Sequence, residues 1–221
     1  MNSRSGCMYR PFERFWHWTQ AALIILLAMT GFEIHGSVQI LGYRQAVAYH
    51  NAAAIALLVL TAFAIFWHLT TGEWRQYVPT RRMLRAQIDY YLAGIFRNAP
   101  HPVRKTPASK LNPLQRLVYL GLKVLVIPVM AASGLLYMFN RYPQNHGSAL
   151  LGPGELRTVA LAHTAGAFLL AAFVIGHIYL TTTGRTPLSN LRAMLTGDEE
   201  MEADSAAGDA APEGDLELIR G

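Results

Sequence analysis

Cysteine is almost absent from this sequence, and charged residues are scarce. The single cysteine, Cys7, cannot form an intramolecular disulfide, and no Cys-x-x-Cys-His motif is present for covalent attachment of a c-type haem. Only 15% of the 221 residues are charged and 52% are hydrophobic, which excludes an ordinary soluble domain. The expected solvent is therefore the bilayer, and any prosthetic group must be held by coordination and packing.

Four apolar stretches are long enough to cross the hydrocarbon core as helices, which takes about 20 residues each. They are residues 15–34, 49–71, 114–139 and 158–182. The first is too long for the apolar part of a secretory signal and lacks a small-x-small cleavage site, so we expect it to be retained. The predicted fold is all-α: an N-terminal segment of residues 1–14, then a four-helix membrane bundle over residues 15–195.

Basic residues are distributed unequally among the connections. Eight arginines and lysines lie between the second and third predicted helices, whereas the two connections on the other side of the membrane hold three together. Because basic connections stay in the cytoplasm, both termini are predicted to be cytoplasmic.

Two segments outside the predicted spans have a distinct composition. Residues 83–96 combine arginine with apolar and aromatic residues at helical spacing, which fits either a helix on the membrane surface or a solvated loop. Residues 196–221 are mainly acidic and small, without apolar periodicity, and are predicted to form a disordered tail.

Histidines are the polar residues that stand out in the predicted helices. Ionisable side chains are costly in a membrane and therefore suggest a function. Five of the eight histidines lie in or at the ends of these helices: His17, His50, His68, His163 and His177. Because His163 and His177 are 14 positions apart, they lie within about 40° of one helix face and about 21 Å apart along it. One helix could thus supply a ligand to each of two cofactors.

A haem held by two imidazoles needs a second histidine at each depth, from a facing helix. Depth pairs His50 with His163 toward the outer surface and His17 with His177 toward the cytoplasm. His68 competes with His17, because it lies 18 positions after His50 on the same helix face, about 27 Å away. Zinc or di-iron sites fit less well, since they recruit cysteines or carboxylates at short spacing, and the predicted helices have almost none.

The surroundings of these histidines resemble the two-haem membrane cytochromes b. That family includes the gamma subunit of respiratory formate dehydrogenase and the cytochrome b subunits of nickel-iron hydrogenase and thiosulfate reductase. The matching motifs are Arg14-Phe-Trp-His17-Trp, Tyr49-His50-Asn51, Trp67-His68-x-x-Thr-Gly, and His163 with His177. The resemblance covers roughly residues 10–195 and implies a multi-pass protein of the bacterial inner membrane.

The resemblance implies two haems b, an outer one ligated by His50 and His163 and an inner one ligated by His17 and His177. It also implies a quinone, ubiquinone or menaquinone, as substrate. Asn112-Pro-Leu-Gln115 looks like the Asn-x-x-Gln element beside the quinone pocket, which makes Asn112 and Gln115 candidate contacts. Asn112 followed by Pro113 also fits a helix N-cap without any ligand.

Two further residues are candidate cofactor contacts. Arg14 could pair with a haem propionate, although it also satisfies the positive-inside pattern. His68, if it is not a ligand, could face a propionate or lie on a proton path to the quinone.

The function implied is a membrane-anchoring subunit that transfers electrons between the quinone pool and a partner subunit. That partner would be an iron-sulfur protein or a c-type cytochrome of a dehydrogenase, reductase or hydrogenase complex. Two alternatives are a self-contained transmembrane reductase and a haem-free transporter with a histidine proton relay.

Overall fold

The fold is a bundle of four long helical spans, as the sequence predicts. The structure, a computed structural model, describes residues 5–80, 83–97, 99, 102, 110–141, 151–184 and 186–200. The spans are α1 (Pro11–Ile34), α2 (Tyr43–Thr71), a composite third span (Pro113–Asn140) and α6 (Pro153–Thr181), and each is long and apolar enough to cross a membrane. α1 packs on α2, and the third span packs on α6.

The third span contains a wider turn in its middle. It consists of α4 (Pro113–Gly121), a π-helical turn (Leu122–Val126) and α5 (Ile127–Arg141). Pro128 accounts for this turn, because it has no N–H to donate and its ring would clash with the carbonyl of residue 124 in a regular helix. A proline inside a helix is expected to kink it, and the wider turn lies directly before Pro128.

All four spans begin before the apolar stretches that predict them. α1 begins at Pro11, four residues earlier than predicted, and the Glu13 carboxylate accepts a hydrogen bond from the Arg10 N–H at 2.7 Å. α6 begins at Pro153, and Glu155 accepts in the same way from the Gly152 N–H at 3.0 Å. The first turn of each of these helices contains a proline and a capping carboxylate. Such a turn is helical but polar, so hydropathy alone places the start of the helix too late.

Shorter elements lie on the side of the bundle where α1 begins and α6 ends, which we call the terminal side. They are a 3₁₀ turn (Glu73–Tyr77), α3 (Leu84–Asp89) continued by a π-turn (Tyr90–Gly94) and a 3₁₀ turn (Ile95–Arg97), and α7 (Ser189–Thr196). The segment 83–96 is therefore helical over most of its length. The opposite side, where α1 ends and α6 begins, is called the hairpin side.

The two ends of the described chain meet at the terminal side. β1 (Ser5–Cys7) pairs antiparallel with β2 (Asp198–Glu200), and Gly197 takes a φ of 92° to lead α7 into that strand. Residues 196–200, which the sequence assigns to a disordered tail, thus form the end of α7 and a strand. The rest of that predicted tail, 201–221, lies outside the described residues.

Large apolar side chains point outward from the spans, and small or polar ones face inward. Phe66 and Ile175 are 66% and 71% exposed, whereas Ala46, Ala53 and Ala64 are buried. Outward apolar side chains are expected where lipid surrounds the bundle, and small inward residues let helices or a flat group approach closely.

Candidate cofactor-binding site

Two histidines of neighbouring helices face each other near the hairpin side. His50 lies two turns into α2 and His163 lies in the first half of α6. Their ring centroids are 6.3 Å apart, and the ring planes are inclined at 69°. We call them the hairpin-side pair; the sequence predicts this pairing from depth.

Both rings of the hairpin-side pair are held by a hydroxyl of an adjacent helix. His50 Nδ1 is 3.0 Å from Thr30 Oγ1 on α1, and His163 Nδ1 is 3.1 Å from Ser133 Oγ on α5. One nitrogen of each ring is thereby engaged, and Nε2 is the nitrogen left for another partner.

A second pair lies near the terminal side, where the sequence also predicts it. The rings of His17 on α1 and His177 on α6 have centroids 6.2 Å apart, with planes inclined at 53°. Phe173 stacks on His177 at 5.7 Å, and Trp18 contacts His17 edge-on. His17 Nδ1 is buried and has no hydrogen-bond partner among the described residues. We call His17 and His177 the terminal-side pair.

The two centroid separations match those of imidazoles on opposite sides of one metal ion. An imidazole nitrogen binds a first-row metal at about 2.0 Å, and the ring centre lies about 1.1 Å behind it, so two axial rings have centres about 6.2 Å apart. A direct hydrogen bond of about 2.9 Å between two rings would bring collinear centres to about 5.1 Å. Each pair therefore leaves room for one atom between its rings.

His68 lies elsewhere in the terminal-side part of the bundle. Its Nδ1–H donates to the Ala64 carbonyl at 2.6 Å, and its Nε2 accepts from the Tyr77 hydroxyl at 3.2 Å. Burial raises the pKa of Tyr77 well above its usual range, so this phenol keeps its proton at neutral pH. Both ring nitrogens of His68 are thus occupied, whereas Nδ1 of its competitor His17 is not.

Asn112 and Gln115 form the N-terminal cap of the third span. Asn112 Oδ1 accepts from the Gln115 N–H at 2.8 Å, and Gln115 Oε1 accepts from the Asn112 N–H at 3.0 Å. The Asn112 amide also donates through Nδ2 to the Tyr91 hydroxyl at 3.0 Å. Burial raises the pKa of Tyr91, so this hydroxyl is neutral. The capping role expected from the sequence is present, and the amide and phenol lie side by side.

Arg14 reaches the C-terminal part of the chain. Its Nη1 donates to the Leu195 carbonyl at 2.7 Å, which ties α1 to α7, while its Nε is buried without a hydrogen-bond partner in the described chain. The positive charge therefore lies at the terminal side, three residues from His17.

Two lysines place further positive charge on the same side. Lys110 Nζ lies 2.6 and 2.7 Å from the carboxylate oxygens of Glu13, and both side chains are largely buried. Lys123, on the π-turn of the third span, has its ammonium 3.1 Å from the centre of the Tyr77 ring. A partly buried ammonium against a phenol face is a cation–π contact.

Three functional contacts do not follow from the sequence analysis. Thr30 and Ser133 are ordinary residues of apolar helices, and their only distinguishing signal is that each directly precedes a glycine. Glu33 accepts from three consecutive N–H groups, those of Ile40, Leu41 and Gly42, at 2.6–2.9 Å. That carboxylate orders the turn that leads into α2 and so helps to position His50.

Four apolar spans define a class, the multi-pass helical membrane proteins, and two facing histidine pairs lie at opposite sides of this bundle. Residues 8–197 match the family model described as prokaryotic cytochrome b561. The chain therefore belongs to the prokaryotic cytochrome b561 family. It is a multi-pass bacterial membrane protein that binds haem b and transfers electrons. The membrane cytochrome b resemblance read from the sequence is thereby confirmed.

A curated relative agrees with the family match. The chain is 33% identical over 195 residues to YdhU of Escherichia coli (strain K12), a protein provisionally named a cytochrome. The alignment covers 86% of this chain and 73% of YdhU.

Proposed function

We propose that this protein is the membrane-anchoring subunit of a respiratory oxidoreductase and that two haems b carry electrons across it between the quinone pool and a partner redox subunit. The observation that carries the proposal is the pair of centroid separations, 6.3 Å for His50 with His163 and 6.2 Å for His17 with His177. Both fit one iron between two imidazoles.

Glycines of neighbouring helices lie against both rings of the hairpin-side pair. A Cβ added at Gly31 would meet His50 Cε1 at 3.5 Å, and one added at Gly134 would meet His163 Cε1 at 3.1 Å. The backbone of a neighbouring helix thus lies close to Cε1 of each ring and restricts the position of that ring. When bound, haem supplies one-electron redox chemistry; the chain supplies ligation, depth and a low dielectric.

Two cofactor sites on α6 would span much of the membrane. Fourteen residues separate His163 from His177, which is about 21 Å of helix in a hydrocarbon core about 30 Å thick. Electrons could therefore enter on one side of the bilayer and leave near the other.

The haem-free proton relay fits the site less well. Its histidines would have to exchange protons ring to ring, and the centroid separations exceed those of a direct imidazole hydrogen bond by about 1 Å. The self-contained reductase shares the haem sites and differs only in having no partner subunit.

We place the terminal side in the cytoplasm, because the basic residues of the connections gather there. The hairpin-side pair then becomes the outer haem site and the terminal-side pair the inner one. Labelling of a cysteine introduced at Gly42 from outside, together with protection of one introduced at Arg75, would agree with this orientation; the reverse pattern would refute it.

The quinone is proposed to bind at the terminal side, next to Asn112 and Gln115. A quinone carbonyl needs a hydrogen-bond donor at the edge of an apolar slot. The Asn112 amide has two N–H groups, and one already bonds Tyr91. Asn112 and Gln115 are therefore the proposed donors, Tyr91 holds the Asn112 amide, and His68 with Tyr77 is the proposed proton path.

Asn112→Ser separates this role from capping. Serine caps a helix about as well as asparagine but removes the amide donor. We expect the variant to keep both haems and to be reduced at the wild-type rate by dithionite, while reduction by quinol slows about tenfold, the loss of one hydrogen bond of about 1.4 kcal/mol.

Gln115→Glu is the companion variant, because glutamate keeps the acceptor that caps the Asn112 N–H but removes the amide donor, so it too should keep both haems and be reduced more slowly by quinol. If quinol reduces the Asn112→Ser variant at the wild-type rate, Asn112 is only a cap. If the Asn112→Ser variant loses a haem, Asn112 contributes to the structure and not to quinone binding.

A further inference from the structure

The same local arrangement occurs twice around the hairpin-side pair. Thr30-Gly31 on α1 faces His50, and Ser133-Gly134 on α5 faces His163. In both, the hydroxyl bonds the ring at Nδ1 and the next residue, a glycine, lies against Cε1. Thr30 is 1% exposed and Ser133 is 5% exposed, so neither hydroxyl serves a surface.

The hydrogen bonds around each hydroxyl fix which ring nitrogen carries the proton. Thr30 Oγ1 donates its single proton to the Leu26 carbonyl at 2.7 Å. It can therefore only accept from His50, so Nδ1 must hold a proton. Nε2 is then the lone-pair nitrogen that can bind a metal.

The second site leads to the same result. Ser133 Oγ donates to the Val129 carbonyl at 2.5 Å and must accept from His163 Nδ1 at 3.1 Å. Each hydroxyl also lies 3.3 Å from a second carbonyl of its own helix, that of Leu27 for Thr30 and that of Met130 for Ser133. Each carbonyl lies three residues before its hydroxyl, so the two arrangements agree in register as well as in chemistry.

The terminal-side pair is built differently. His17 Nδ1 is buried without a partner among the described residues, and an aromatic ring, Phe173, holds His177 in place. The hydroxyl arrangement is thus a property of one histidine pair and not a general feature of these helices.

We propose that Thr30 and Ser133 are positioning residues that set the tautomer of His50 and His163 and lower the reduction potential of the haem between them. The proposal rests on the proposed function. An acceptor on Nδ1–H increases the basicity of the ligating nitrogen, which favours the oxidised iron. The glycines let the helices come close enough for the hydroxyls to reach, and at Gly134 a Cβ would already crowd the ring at 3.1 Å.

Redox titration of the purified holoprotein, with both haems resolved, tests this. We expect Thr30→Val and Ser133→Ala each to raise the midpoint potential of the hairpin-side haem and to leave the other unchanged. The expected change is up to about tenfold in the oxidised-to-reduced ratio at a fixed potential, which is about 59 mV for a one-electron couple. Thr30→Ser restores a hydroxyl and should restore the potential.

Thr61→Val is the matched control, because Thr61 also donates to a helix carbonyl, that of Leu57 at 2.7 Å, and bonds no histidine in the described structure. If Thr30→Val loses the haem and Thr30→Ser retains it, the positioning role stands. The proposal is overturned if the midpoint potential is unchanged in both Thr30→Val and Ser133→Ala. It is also overturned if the shift equals that of Thr61→Val or if the potential of the other haem shifts instead. If the wild type lacks two haems, or His50→Ala removes none, the proposed function itself has failed.

Discussion

We expect His50→Ala and His163→Ala to remove the same haem b from the purified protein and to leave the other in place. His17→Ala and His177→Ala should remove the second haem instead. A haem that is not covalently attached depends on both iron–imidazole bonds and on its packed slot, so the loss of either ligand should empty the site. Haem content and the midpoint potential of the remaining haem identify which one has been lost.

His68→Ala is the control for this series. Both ring nitrogens of His68 are already bonded, to Ala64 and Tyr77, so both haems should remain. Its turnover with quinol is expected to fall if the proton path passes through it. If His68→Ala removes a haem that His17→Ala retains, α2 supplies the terminal-side ligand and the assignment is wrong.

The largest effect on stability is expected from breaking the buried ion pair between Glu13 of α1 and Lys110, which precedes the third span. Lys110→Met leaves the Glu13 carboxylate 13% exposed and without its partner. Removing one member of a buried pair costs about 3 kcal/mol or more, because the remaining charge is poorly solvated. We expect the detergent-solubilised variant to unfold at a clearly lower temperature.

Two variants test the cause of that loss. Arg10→Met breaks a pair with Glu73 that is 3.6 Å long and in which the arginine is 59% exposed, so its effect should be small. The double variant Glu13→Gln with Lys110→Met removes both charges and should recover most of the stability. Equal effects of Lys110→Met and Arg10→Met would show that the buried pair contributes no more than a surface one.

Hydropathy and histidine spacing predict the elements that hold the site. All four spans follow from apolar length, and the depths of His17, His50, His163 and His177 predict the two pairs that the structure brings together. The spans follow from the length of the apolar stretches, and the histidine pairs follow from histidine spacing and the fixed rise of a helix.

Other features depend on contacts between residues far apart in the chain. Lys110 and Glu13 are 97 positions apart, and only the tertiary fold makes them a pair. Thr30 and Ser133 could each have bonded only their own helix, as Thr61 does. Single-sequence patterns contain no information on which helix face meets a histidine, so these contacts require the structure.

The strand pairing at the terminal side illustrates the same limit. An acidic stretch after Gly197 has the composition of a disordered tail, and yet Asp198–Glu200 pairs with Ser5–Cys7. The pairing uses backbone hydrogen bonds at two chain ends that α1 and α7 bring together, for which side-chain composition gives no signal.

The central claim, that each chain holds two haems b between paired imidazoles, is tested most directly on the unmodified protein. The measurement is haem content per chain combined with low-temperature electron paramagnetic resonance of the oxidised form. Two haems b per chain, both low-spin, are predicted, with strongly anisotropic signals because the ring planes are inclined at 69° and 53°. One haem per chain, a high-spin haem, or no haem would contradict the account.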